Sequence, residues 1–117
     1  MRDFKYLDAW HKAHALTLNV YRVTKSSPKA ETYGLAATLR RSSAQLTMKI
    51  AEGCGRDLNI EYVNCLGHAR AMGVEVEYQF LLARDLQFMK VDDHDALLHD
   101  IIEVRKMLSG LMKTASV

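Results

Sequence analysis

Any chemistry in this chain would have to come from five histidines, two cysteines, a serine pair and one glycine-rich run. His11 and His14 lie one helical turn apart, but no third ligand follows at a matching spacing, so they read as a surface pair. His68, His94 and His99 have no partners at ligand spacing. Cys54 and Cys65 are separated by ten residues, whereas a structural zinc site needs four ligands. The expectation is two reduced thiols in a cytoplasmic protein. Ser42-Ser43 has no His or Asp beside it in sequence. Gly53-Cys54-Gly55-Arg56 lacks the Lys-Ser/Thr ending of a phosphate loop and the strand that precedes a dinucleotide turn. Di-iron bundles carry Glu-x-x-His, yet Glu52, Glu61, Glu75 and Glu77 are followed three residues later by Gly55, Asn64, Tyr78 and Phe80. No catalytic residue, metal site or cofactor is expected, and the chain reads as a non-enzyme.

Cations are the more informative residues. Arg40-Arg41, Lys49 and Arg56 fall in or just beyond a segment that has no acidic residue from Leu35 to Lys49. A guanidinium presents a planar fork of donors that fits phosphate or carboxylate. Neighbouring helical residues project about 100° apart, so Arg40 and Arg41 can serve different ends. The expectation is one interhelical salt bridge, to Glu75, Glu77 or Asp85, and one cation facing solvent.

The elements that must position these residues are helical. Leu7, Trp10, Ala13, Leu16, Val20 and Val23 recur at three- and four-residue steps, predicting a helix over about 7–25 that stops at Ser26-Ser27-Pro28. After a loop through 29–33, Leu35, Leu39, Ser42, Leu46 and Ile50 predict a second helix over 34–52, ended by Gly53 and Gly55 in the left-handed conformation. A third, over 59–86 with Asp57 or Asn59 as cap, has the stripe Tyr62, Leu66, Ala69, Gly73, Val76, Phe80 and Ala83. A second stripe of Val74, Tyr78, Leu81 and Phe88 lies beside it, either buried within one wide core or available for self-association. The fourth, over 93–113, opens at Asp92 or Asp93 and keeps Leu97, Ile101, Val104, Leu108 and Leu111 in heptad register. Short connections favour antiparallel neighbours, so the predicted fold is all-α, an up-down-up-down four-helix bundle forming one domain over 1–117.

Composition agrees. In 117 residues there are six glycines and one proline, too few for the turns of an all-β fold, and 49% of the chain is hydrophobic. No run approaches the roughly 18 apolar residues of a membrane span, and the charged N-terminus lacks a secretory signal's apolar run. The net charge of +2 is unevenly spread. Residues 1–56 hold ten Lys/Arg against four Asp/Glu, and residues 57–117 hold six against ten. Such a split marks either a nucleic-acid surface or basic and acidic helices packed side by side.

Tyr33-Gly34-Leu35, Leu39-Arg40-Arg41-Ser42 and above all Ile50-Ala51-Glu52-Gly53-x-Gly55-Arg56 resemble the proteins encoded in intervening sequences of bacterial 23S ribosomal RNA genes. The resemblance extends through Phe4-x-x-Leu7-x-x-Trp10, Leu66-x-x-Ala69-Arg70, Glu75-x-Glu77 and Leu81-Leu82-Ala83-Arg84-x-Leu86, covering about residues 4–113. The chain is also similar to the accessory proteins of diversity-generating retroelements, which bind nucleic acid and a reverse transcriptase. It departs from the family where a Ser-Ile-Pro run is usual, having Gln45-Leu46-Thr47-Met48-Lys49, which implies a straighter second helix. Met72 stands where a serine is common, implying looser helix contact there.

The resemblance implies an antiparallel bundle assembled as a homopentamer, with no catalytic residues. Candidate nucleic-acid contacts are Arg22, Lys25, Lys29, Arg40, Arg41, Lys49 and Arg56, with Arg41 and Arg56 the foremost pair. The alternative is a homo-oligomeric scaffold for a protein partner, in which Arg40 or Arg41 is buried against Glu75 or Glu77.

Overall fold

A computed structural model describes residues 2–25 and 34–116. The expected stop at Ser26-Ser27-Pro28, the loop through 29–33 and the candidate contact Lys29 lie outside the described residues. The chain begins with a 3-10 turn, Phe4–Tyr6, capped by the Asp3 carboxylate, which accepts from the Lys5 amide at 2.9 Å. Four helices follow among the described residues: α1 Asp8–Thr24, α2 Leu35–Cys54, α3 Asn59–Asp85 and α4 Val91–Ala115. No strand occurs among the described residues. α1 packs on α2 and α4, and α3 packs on the same two, while the backbones of the diagonal pairs stay farther apart. This is the all-α four-helix bundle, about 45 Å long.

The stripes explain the packing. All seven residues from Tyr62 to Ala83 on the main α3 stripe are buried, and they meet Leu97, Ile101, Val104 and Leu108 of α4 in one core with Leu16, Val20, Leu39, Leu46 and Ile50. Phe80 is the largest fully buried side chain. One position on α2 is shifted: Ser43, rather than Ser42, is buried. The Ser43 hydroxyl hides by donating to the Leu39 carbonyl at 2.9 Å, and its own carbonyl accepts from Thr47 Oγ1 at 3.0 Å. Thr17 of α1 adds a hydroxyl 3.0 Å from that of Thr47, so a small polar seam joins α1 to α2. Ser42 lies half-buried at the α3 side, where it accepts from Gln79 Nε2 at 3.0 Å.

Helix ends depart from expectation in instructive ways. α2 runs through Gly53, and Gly55 ends it in a right-handed conformation (φ −82°), so neither glycine supplies a left-handed stop. A Cβ on Gly53 would sit 2.9 Å from Cys65 Cβ, so close approach of α2 and α3 is what requires glycine there. No side chain caps α3: Leu58 is the N-cap, and Asn59 instead donates to the Ala115 carbonyl at 2.6 Å and accepts from Arg2 at 3.0 Å. α4 starts at Val91 after an uncapped Lys90, placing Asp92 and Asp93 within the first turn, where they complement the helix dipole. Among the described residues the left-handed one is Gln87 (φ 63°), just past α3. Its amide bonds to the Arg84 carbonyl and the Phe88 amide to that of Ala83, the paired bonds of a Schellman stop.

The second α3 stripe is not absorbed by the core. Val74 and Tyr78 are 54% and 60% exposed, and Leu81 is exposed as well. No helix of the described residues is long and apolar enough to cross a membrane.

Candidate nucleic-acid interface

Arg40 leaves α2 on the side of α1. Its Nε donates to Thr24 Oγ1 at 2.7 Å, its Nη2 donates to the Tyr21 carbonyl at 3.2 Å, and its guanidinium lies 4.8 Å from the Tyr21 ring centroid. The expected salt bridge from Arg40 or Arg41 to an α3 carboxylate is therefore absent. Arg40 instead satisfies the last turn of α1, whose carbonyls lack helical partners and carry the negative end of the dipole. Arginine can do this without neutralisation, and no carboxylate among the described residues pairs with it. Arg22 donates to Asn19 Oδ1 at 2.6 Å, again a neutral partner. Lys25 and Arg41 are exposed and make no ion pair among the described residues. Arg22 and Lys25 thus lie at the end of α1 and Arg40 and Arg41 in the first two turns of α2, with Arg40 over the exposed Tyr21 ring.

The other two expected contacts on α2 behave differently. Glu52 accepts from Lys49 Nζ at 2.9 Å and from Arg56 Nη2 at 2.9 Å, and Arg56 Nη1 also lies 4.0 Å from Glu61. The Arg56 guanidinium, followed by the Lys49 ammonium, pulls the Glu52 carboxyl down to about 2. The same contacts raise Arg56. Two cations and two carboxylates balance here, around a shallow recess of about 240 Å³ that also includes Cys65 and His68. Arg41 and Arg56 are fifteen residues apart, about 22 Å along a helix, so the foremost pair is divided between a free and a neutralised environment.

Neither cysteine is bonded to another, and both are buried. Burial pushes both thiols up, with the Glu52 carboxylate adding to the effect at Cys65, so both are neutral at ordinary pH. His14 stacks on Trp10 with ring centroids 4.9 Å apart, and His11 bonds the Lys5 carbonyl. Among the described residues no group of three potential metal ligands converges.

Cations within the acidic half were missed by linear charge counting. Arg70, Arg105 and Lys106 border a groove of about 430 Å³ between α3 and α4, floored by Val74 and Ile102. Arg70 donates to Ser109 Oγ at 3.2 Å, and Arg105 pairs with Glu77. Gly73 makes this possible: a Cβ there would lie 2.8 Å from Arg105 Cγ, so the arginine stem crosses α3 where the side chain is missing. The adjacent pair Arg105-Lys106 was the available signal, matching Arg40-Arg41 in kind.

Comparison with solved structures finds a similar bundle in a crystal structure of a protein of unknown function from the S23 ribosomal protein family of Bacteroides thetaiotaomicron VPI-5482. The two share 17% identity and a TM-score of 0.82, over 90% of this chain and 95% of that one. At that identity the likeness concerns the fold. No curated protein matches the chain. The family described as 23S rRNA-intervening sequence protein matches residues 5–110, nearly the whole bundle. By that match the chain belongs to the 23S rRNA-intervening sequence protein family.

Proposed function

We propose that this protein is a non-enzymatic, homo-oligomeric bundle that binds nucleic acid electrostatically through the junction of α1 and α2. The observation that carries the reading is the set Arg22, Lys25, Arg40 and Arg41 at the end of α1 and on α2, which has no carboxylate partner among the described residues, with the Arg40 guanidinium over the exposed Tyr21 ring. Uncompensated cations attract phosphates regardless of sequence, and an exposed aromatic ring offers a base a stacking surface. Lys49 and Arg56 play a lesser part, since Glu52 and Glu61 already meet their charge. Assembly as a pentamer, implied by family resemblance, would repeat the patch around a ring and raise its affinity through multivalency. Exposed Leu18, Met48 and Ile60 supply apolar surface for such assembly.

Titrating a fluorescent RNA stem-loop against the protein over a range of salt concentrations tests the reading. Four phosphate contacts would give a slope of about −3 to −4 in log affinity against log salt. A flat dependence, or no binding at about 50 mM salt, would overturn it. The scaffold reading keeps one observation in its favour, the exposed row Val74, Tyr78 and Leu81 on α3.

A further inference from the structure

The groove between α3 and α4 has an organisation that phosphate binding does not use. Val74, Tyr78 and Leu81 recur at i, i+4 and i+7 along α3, and Leu98 and Ile102 of α4 lie beside them. The recess of about 430 Å³ next to Arg70 and a second of about 320 Å³ next to Arg84 share Val74, so the depression is continuous. Its apolar stretch, from residue 70 to residue 81, extends about 17 Å, three helical turns, and Arg84 closes it one turn further on. Its charge is one-sided. At one end Arg70 and Lys106 have no carboxylate partner among the described residues. Midway Arg105 is matched by Glu77, and at the far end Arg84 is matched by Asp85 and His94 bonds Asp95.

We propose that this groove docks an amphipathic helix of a protein partner, three turns long, with apolar residues on one face and a carboxylate-rich turn at one end. The apolar face would lie on Val74, Tyr78, Leu81 and Ile102, filling the trough between two antiparallel helices as ridges fill grooves. The acidic turn would lie over Arg70 and Lys106, and this charge match sets the direction in which the helix binds. A nucleic acid fits this surface less well, because Val74, Leu81 and Ile102 are aliphatic and only one end carries cations with no carboxylate partner among the described residues. The inference is independent of the nucleic-acid reading, since none of these residues belongs to the α1–α2 patch.

The test uses the full chain and two synthetic helical peptides of about 18 residues with the same leucine face. One carries a glutamate-rich first turn, the other a lysine-rich one, and binding is read by fluorescence anisotropy. The glutamate peptide is expected to bind saturably and at least about tenfold more tightly than the lysine peptide. Arg70→Glu with Lys106→Glu should reverse that order, and Tyr78→Ser with Leu81→Ser should weaken both peptides by about tenfold or more. Equal affinity for the two peptides, no saturable binding, or indifference to the Tyr78 and Leu81 changes would overturn the proposal. Displacement of the glutamate peptide by an RNA stem-loop would assign the groove to nucleic acid instead. A change in sedimentation coefficient caused by Tyr78→Ser would assign it to a second copy of this chain. Either result contradicts the proposal.

Discussion

A Cβ on Gly53 would lie 2.9 Å from the Cβ of Cys65, so α2 and α3 approach as closely as they do because one of them lacks a side chain. Both atoms are held by helical backbone, leaving no flexible end to move aside. Gly53→Ala should therefore cost about 1–3 kcal/mol through overpacking. Gly110, in α4, has no atom within 4 Å of the corresponding position. Gly110→Ala should stabilise by up to about 1 kcal/mol through helix propensity. Urea unfolding of the two variants checks the opposed signs.

Gln87 occupies the left-handed position of the stop after α3 with φ 63°. A side chain with a Cβ is disfavoured there, and glycine is not. Gln87→Gly should raise stability by up to about 1 kcal/mol, read as a higher denaturation midpoint with an unchanged m-value.

Arg40 ties the start of α2 to the end of α1 through Thr24 and the Tyr21 carbonyl. Arg40→Ala leaves those acceptors without their charged donor and should cost about 1–2 kcal/mol. Amide exchange should rise most in the last turn of α1. Equal exchange throughout the chain would contradict the capping role.

Glu52 titrates from an ordinary 4.5 down to about 2 because Arg56 and Lys49 hold its charged form. A carboxyl depressed in the folded state stabilises above its unfolded pKa and loses that contribution as pH falls toward its folded value. The affected window is about pH 4.5 to 2. Carboxyl carbon shifts followed by NMR should place the Glu52 midpoint near the lower figure, and Arg56→Ala should move it upward.

The bundle was legible because apolar periodicity is a direct record of burial. Tyr62 to Ala83 are buried at every expected position, and the helix limits moved by only one or two residues. Hydroxyls and cations were less legible. Ser42 and Ser43 differ by one step around α2, and a serine conceals its polarity by bonding back to the preceding turn, so hydropathy does not separate them. Arg40 had attractive partners on two sides, carboxylates on α3 and orphan acceptors on α1, and only the rotation of α2 decides between them. Gly53 reads as a helix stop in sequence, whereas its purpose is steric and depends on which residue of α3 faces it. Charge summed along the chain also hid Arg70, Arg105 and Lys106, which converge from two helices within an acidic half.

The central claim is that the cations at the α1–α2 junction, which have no carboxylate partner among the described residues, hold nucleic acid, and not the balanced cluster around Glu52. Affinity for an RNA stem-loop, measured in parallel for the Arg22→Glu/Arg41→Glu and Lys49→Gln/Arg56→Gln pairs, tests it most directly, with sedimentation confirming unchanged assembly. The account predicts at least about a tenfold loss for the first pair and less than about threefold for the second. Equal losses in both pairs, or a loss confined to the second, would contradict it.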